Sequence, residues 1–189
     1  MLQVAHFAPV SPVKPTFTGI HMKIAIIGGG PAGLMAAEVA SATGAQVDLY
    51  DGMASVGRKF LLAGKGGLNL THSELSEKFL SRYGTRRSQI APLLASFGPD
   101  ALRAWASGLG IETFVGSSGR VFPTDLKAAP LLRAWLRRLR KAGVRFHMRH
   151  RWSGWDQQGA LRFATSEGDL SVKADSVVLA LGGGSWPKL

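Results

Sequence analysis

Three glycines, Gly28, Gly30 and Gly33, stand in the run GGGPAG directly after the branched apolar segment Lys23 to Ile27. Gly28 permits a tight turn, Gly30 lets the backbone approach a pyrophosphate, and Gly33 allows the following helix to pack closely, with Pro31 and Ala32 opening that helix. The helix start would offer free amides and the positive end of its dipole to an anion. Asp51 lies 23 residues after Gly28, at the end of the next apolar segment, where a carboxylate can accept hydrogen bonds from an adenosine ribose. A carboxylate there repels a 2′-phosphate, so the pattern points to FAD or NAD over NADP. Asp48, inside the same segment, is expected to be a solvent-facing strand carboxylate.

The elements that must hold these residues follow from the apolar pattern. KIAII at 23–27 is short, continuous and branched, as a parallel strand covered on both faces should be. Leu34, Ala37, Val39 and Ala40 predict the apolar face of a helix that stops at Gly44, and Gln46 to Tyr50 predicts the second strand. Residues 23–50 thus form one β-α-β unit. Residues 52–72 hold five glycines and little periodicity, which predicts an extended loop. Short helices are expected over 74–82, 88–96 and 99–108 as a small helical insert. A longer one over Ala128 to Lys141 carries Leu131, Leu132, Trp135, Leu136 and Leu139 on one face. Runs at 144–152, 160–165 and 170–173 predict a three-stranded antiparallel meander, and Ser176 to Leu181 a buried parallel strand ending in glycines.

The bulk properties narrow the class. A chain of 189 residues with 46% hydrophobic side chains can bury one substantial core. Its apolar runs fall far short of the roughly 20 residues needed to span a bilayer, which argues against a membrane segment. Residues 1–21 carry three prolines and no continuous apolar core, and read as a loose leader upstream of a start at Met22. With no cysteine in the sequence, neither disulfide nor thiol chemistry is available, and a cytoplasmic location is expected. The histidines have no partners at zinc-ligand spacing, so no metal is assigned. The net charge of +11 is local: Arg133 to Arg151 holds eight basic residues and no acidic one, and the rest of the chain carries +3. Solvated charge on the polar side of a helix is the ordinary reading of such a stretch, with nucleic acid the competing one.

The meander crossover is the arrangement of the two-dinucleotide-binding flavoproteins. With GRKFLLAGKGGLNLTH at Gly57 to His72, GRVFPTDLKA at Gly119 to Ala128 and LALGGGSWPKL at Leu179 to Leu189, the chain resembles the BaiN-like (YhiN-like) NAD(P)/FAD-dependent oxidoreductases from Met22 onward. The resemblance implies an α/β, Rossmann-like FAD-binding fold with a central parallel sheet, the meander and the helical insert. It implies FAD as cofactor, with NAD(P)H as an electron donor. It places Arg58, Lys59, Gly64, Lys65, Gly66 and Asn69 along the pyrophosphate and ribityl chain, and Gly182, Gly183 and Gly184 close to the FAD, with Trp186 and Pro187 leading back toward the flavin. Arg151 and Trp152 would flank the adenine, although packing is the competing role for Trp152 and Trp155. Trp105 and Trp135 read as helix-face core.

The family more usually has a Cys before the Asn, where this chain has Leu68, so the resemblance gives less guidance on substrate and reductant than on cofactor. Its members are about twice as long, which makes 22–189 the N-terminal part of an FAD-binding domain. The substrate or cap domain and the segment that closes the flavin site would lie outside it, and no catalytic residue is assigned. The alternatives are a non-catalytic nucleotide-binding fragment and a flavoprotein that uses the Arg133 to Arg151 patch on RNA. A small molecule is the expected substrate.

Overall fold

The computed structural model describes residues 22–64 and 66–183. Residues 1–21, read above as a leader, Lys65, Gly184, Trp186 and Pro187 lie outside the described residues.

Strand β1 (Lys23–Ile27) runs into helix α1 (Pro31–Ala42) and then strand β2 (Gln46–Asp51). β1 and β2 are parallel, with Ile26 beside Leu49. The helix ends before Gly44, whose φ of 84° suits the left-handed backbone that glycine adopts without cost. Two later strands, β6 (Arg145–Met148) and β10 (Ser176–Leu179), complete a four-stranded parallel sheet in the order β10-β1-β2-β6.

Burial on both faces explains the continuous apolar run Ile24 to Ile27 in β1 and the apolar Val47, Leu49 and Tyr50 of β2. Ile26, Val47 and Leu49 face a core built with Leu34 and Ala37 of α1 and Leu131, Leu132, Trp135 and Leu139 of helix α6 (Ala128–Lys141). Ala25, Ile27 and Tyr50 face the opposite way, onto Leu161 and Phe163. Those two residues come from the meander, β7 (Arg151–Trp155), β8 (Leu161–Thr165) and β9 (Gly168–Val172), paired antiparallel. Phe163 is wholly buried, and burying one such side chain stabilises a fold by about 1.5–3 kcal/mol. The central sheet is therefore covered by helices on one face and by the meander on the other.

Several details differ from the sequence reading. The run 144–152 is not one strand: β6 belongs to the parallel sheet, Arg149 turns the chain with φ of 59°, and β7 opens the meander. Residues 52–72 contain helix α2 (Arg58–Ala63) and a short strand β3 (Thr71–His72) in place of a continuous loop. The strand β3 pairs with β5 (Arg120–Pro123), which pairs in turn with β4 (Thr113–Val115), a small sheet the sequence did not announce. The insert helices α3 (Ser76–Ser81), α4 (Arg87–Ser96) and α5 (Pro99–Ser107) stand where expected. Val39 points outward at 63% exposure and is no part of the α1 core face. β10 is parallel as expected but lies at the sheet edge, with Leu179 48% exposed, because only β1 flanks it.

Asp48 is the clearest correction. It lies on the meander face of β2 and is 9% exposed, not solvent-facing. Both nitrogens of the Arg145 fork donate to its carboxylate, and His147 Nε2 donates to Oδ1 at 2.7 Å. Burial disfavours the charged form, yet these hydrogen bonds outweigh it and hold the carboxyl below its ordinary value. Tyr50, stacked between His147 and Phe163, is pushed up to about 12 by its burial.

Candidate functional site: the cleft beyond β1 and β2

The carboxyl ends of β1 and β2 open into a cleft of about 320 Å³. Ligands of open parallel sheets occupy this position. The glycine loop forms its floor, and backbone hydrogen bonds fix the loop on three sides. Gly28 N–H donates to Tyr50 O at 2.8 Å, Ala180 N–H to Ile27 O at 2.8 Å, and Gly57 N–H to Gly29 O at 2.8 Å.

Each glycine of the motif has a distinct spatial reason. Gly28 has φ of 109°, and a Cβ there would lie 2.3 Å from Ala180 O. A Cβ at Gly33 would lie 1.8 Å from Gly28 O, so the first turn of α1 can close onto the loop only with glycine. A Cβ at Gly30 would meet no atom within 4 Å and would project into open space. Nothing in the chain itself requires glycine there, and at the cleft floor the bare backbone leaves room for a ligand to approach.

Gly30 caps α1 without any side-chain hydrogen bond, and no acidic residue occupies the first turn. The leading amides of an α-helix have no intrahelical acceptor, so Ala32 and Gly33 present N–H groups at the cleft end of the helix. Opposite them, Arg58 and Lys59 form the first turn of α2 and line the same cleft. Lys59 Nζ reaches Gly183 O at 3.5 Å. Free amides on one wall and two cations on the other suit a pyrophosphate.

Asp51 lines the cleft from the end of β2. Its Oδ2 accepts from Gly29 N–H at 2.7 Å and its Oδ1 from Met53 N–H at 2.8 Å. A carboxylate has about four lone-pair sites, so both oxygens can still receive ribose hydroxyls.

Of the residues the sequence singled out, the structure brings Gly28, Gly30, Pro31, Ala32, Asp51, Arg58, Lys59 and Gly182 to the cleft wall. Gly33 stands behind it as a packing residue, and Gly183 meets it through Lys59. Gly64 lies against Ala128 of α6, and Gly66 faces open space. Asn69, with its amide nitrogen toward Thr71 O and Val121 O at 2.8 and 3.2 Å, braces the small sheet. Trp152 packs beside the meander core, edge-to-face with Trp155, and does not line the cleft. Arg151 does not line the cleft either; it packs against Gly52, its Cα 3.5 Å from where a Cβ there would be.

Sequence reasoning missed Gly29, Met53 and Ser55, which also line the cleft. Gly29 had a readable signal in the third glycine of the run, and a Cβ there would lie 2.3 Å from Val56 Cγ1. A second cleft, of about 400 Å³, lies between the Arg149–His150 turn and the β8–β9 hairpin. No glycine loop or helix start faces it.

A parallel sheet with a glycine turn, an uncapped helix start and a meander crossover defines a Rossmann-type nucleotide-binding domain of the flavoprotein kind. The chain belongs to the HI0933-like family, the BaiN/YhiN-like FAD-binding proteins: residues 22–189 match the HI0933-like protein Rossmann domain. No curated protein sequence matches it.

Among solved structures the fold resembles an open flavocytochrome c3 fumarate reductase, at TM-score 0.66 and 18% identity over 86% of this chain and 34% of that one. It also resembles the 3-ketosteroid-Δ4-(5α)-dehydrogenase of Rhodococcus jostii RHA1, at TM-score 0.53 and 16% identity over 87% of this chain and 47% of that one. A third is THI4 of Thermovibrio ammonificans, at TM-score 0.52 and 18% identity over 86% and 58%. These likenesses are of fold, and the chain spans between 34% and 58% of these three structures. Among the described residues no helix is long and apolar enough to cross a membrane.

Proposed function

We propose that this chain is the FAD-binding part of a flavin-dependent oxidoreductase acting on a small molecule, with NAD(P)H as an electron donor. The observation that carries the reading is the bare Gly30 at an uncapped helix start, facing Arg58 and Lys59 across the cleft. The Ala32 and Gly33 amides and the two cations would hold the pyrophosphate, and Asp51 the adenosine ribose. The bound flavin would supply hydride or electron transfer, a chemistry the protein shapes by placement and electrostatics. The chain's own part would be to hold the dinucleotide's adenosine half and phosphates.

Two supports favour FAD over NAD: membership in the family and the antiparallel meander as crossover. Titration of the purified chain with FAD, FMN and NAD, followed by flavin or protein fluorescence, tests the choice. FAD is expected to bind at least tenfold tighter than either, a difference of about 1.4 kcal/mol. Charge reversal at Arg58 and Lys59 together should weaken FAD binding about tenfold or more. Equal or tighter NAD binding would overturn the reading.

A further inference from the structure

Gly64 presents a puzzle that its backbone does not resolve. Its φ of −84° and ψ of 4° are open to any residue, so nothing in its conformation calls for glycine. The space does: a Cβ there would lie 2.5 Å from Ala128 Cβ, a fixed atom on buried α6. Real Cβ contacts need about 3.5–4 Å. At the other end of α2, Gly57 also touches α6: its φ of 70° already favours glycine, and a Cβ there would lie 2.6 Å from Leu132 Cδ2, the movable end of a side chain. Ala128 and Leu132 are four residues apart, on one face of α6 and both buried. The two glycines that bracket α2 therefore rest on consecutive turns of a single helix.

The short helix between them has no fully buried residue of its own. Phe60 packs partly against the core, and the two glycine contacts set how closely the rest of α2 approaches. Gly57 also ties the seat to the ligand side, because its N–H holds Gly29 O of the glycine loop at 2.8 Å. Arg58 and Lys59 follow immediately.

We infer that Gly57 and Gly64 form a two-point seat for α2 on Ala128 and Leu132, and that Gly64 is a positioning residue that sets Arg58 and Lys59 over the cleft, not a contact to the cofactor. This rests on the FAD reading of the cleft. It also reassigns Gly64, which the family resemblance placed along the cofactor, and gives α6 a part in cofactor binding although no residue of α6 lines the cleft. A methyl group at Gly64 would lift the end of α2 by about 1 Å, a displacement that can weaken a positioned contact many-fold.

The test is a rescue. Gly64→Ala, Ala128→Gly and the double variant are compared with the wild-type chain for FAD affinity and for thermal unfolding without FAD. Gly64→Ala is expected to weaken FAD binding about tenfold, and the double variant to return to within about threefold of Ala128→Gly alone. The unfolding temperatures should show the same coupling. Wild-type affinity in Gly64→Ala, or a double variant no better than Gly64→Ala, would overturn the inference, the second result being what a direct ligand contact at Gly64 would give. If the wild-type chain binds no FAD, the functional reading fails by itself. The seat then stands or falls on the coupling in unfolding temperature alone, with additive losses contradicting it.

Discussion

Asp51 Oδ2 lies 2.7 Å from the backbone nitrogen of Gly29, so the last residue of β2 clamps the middle of the glycine loop beside β1. Its other oxygen holds Met53 N–H at 2.8 Å. The residue expected to grip a ribose thus also shapes the loop that receives the phosphates. Asp51→Ala leaves two backbone donors without their acceptor; the exposed Met53 N–H can turn to water, whereas losing the acceptor of the part-buried Gly29 N–H costs about 1–3 kcal/mol. Both stability and FAD affinity should fall, which denaturant unfolding and FAD titration will register. Asp51→Asn keeps one acceptor oxygen and should lose less of each.

The glycines of the motif should separate by role. Gly33→Ala sets a methyl 1.8 Å from Gly28 O, and overpacking of this kind costs about 1–3 kcal/mol or more. A drop in unfolding temperature without any ligand is the expected result. Gly30→Ala has free space around its Cβ and should leave the unfolding temperature within about a degree or two of wild type. Its FAD affinity should fall about tenfold or more, because the methyl occupies the ligand's room.

Glu38 joins three helices. Its carboxylate, on α1, accepts hydrogen bonds from the Trp105 and Trp135 indoles of α5 and α6, and Arg138 pairs with it at 2.9 Å. Arg138 also lies 5.7 Å from the Trp105 ring centroid. Hydrogen bonds to a charged group are worth about 1.5–3 kcal/mol, so Glu38→Leu should destabilise the fold by about that much. Tryptophan emission should change in the folded state, which checks that the indoles have lost their partner.

The Asp48 cluster gives stability a pH signature. Its carboxyl sits below the ordinary 3.8 in the folded chain, because the Arg145 and His147 hydrogen bonds outweigh burial. A lowered folded value means that the stabilisation is complete above the unfolded value and disappears as pH falls through the folded one. The difference in unfolding temperature between wild type and Asp48→Asn should be largest above about pH 5 and shrink below pH 4. Tyr50 acts at the other extreme. Raised to about 12 by burial, it should make stability fall as pH climbs from about 10 toward 12, where the unfolded state ionises first, and Tyr50→Phe should remove that slope.

The sequence made the phosphate end of the site legible because the glycine turn depends on local backbone geometry. Gly33 and Asp51 act through contacts with the loop itself, and Gly28 through its left-handed backbone as well as its approach to Ala180. The parts it hid depend on long-range partners. Arg145 and His147 lie 97 and 99 residues from the Asp48 they bind, so nothing near Asp48 announced its burial. The run at 144–152 was continuous in composition, and only pairing with β2 divides it at Arg149. Gly64 and Asn69 belong to a recognisable motif, yet they face α6 and the small sheet, a distinction that composition does not carry. α2 was invisible because six residues between glycines have too few turns to show a period.

The most direct test of the central claim is the visible absorption spectrum of the purified chain after saturation with FAD and removal of excess, with any chromophore released by denaturation identified. A flavin band with FAD as the released species is the expected result, and it should weaken in Gly30→Ala. A colourless protein that retains no FAD at saturating concentration would contradict the account.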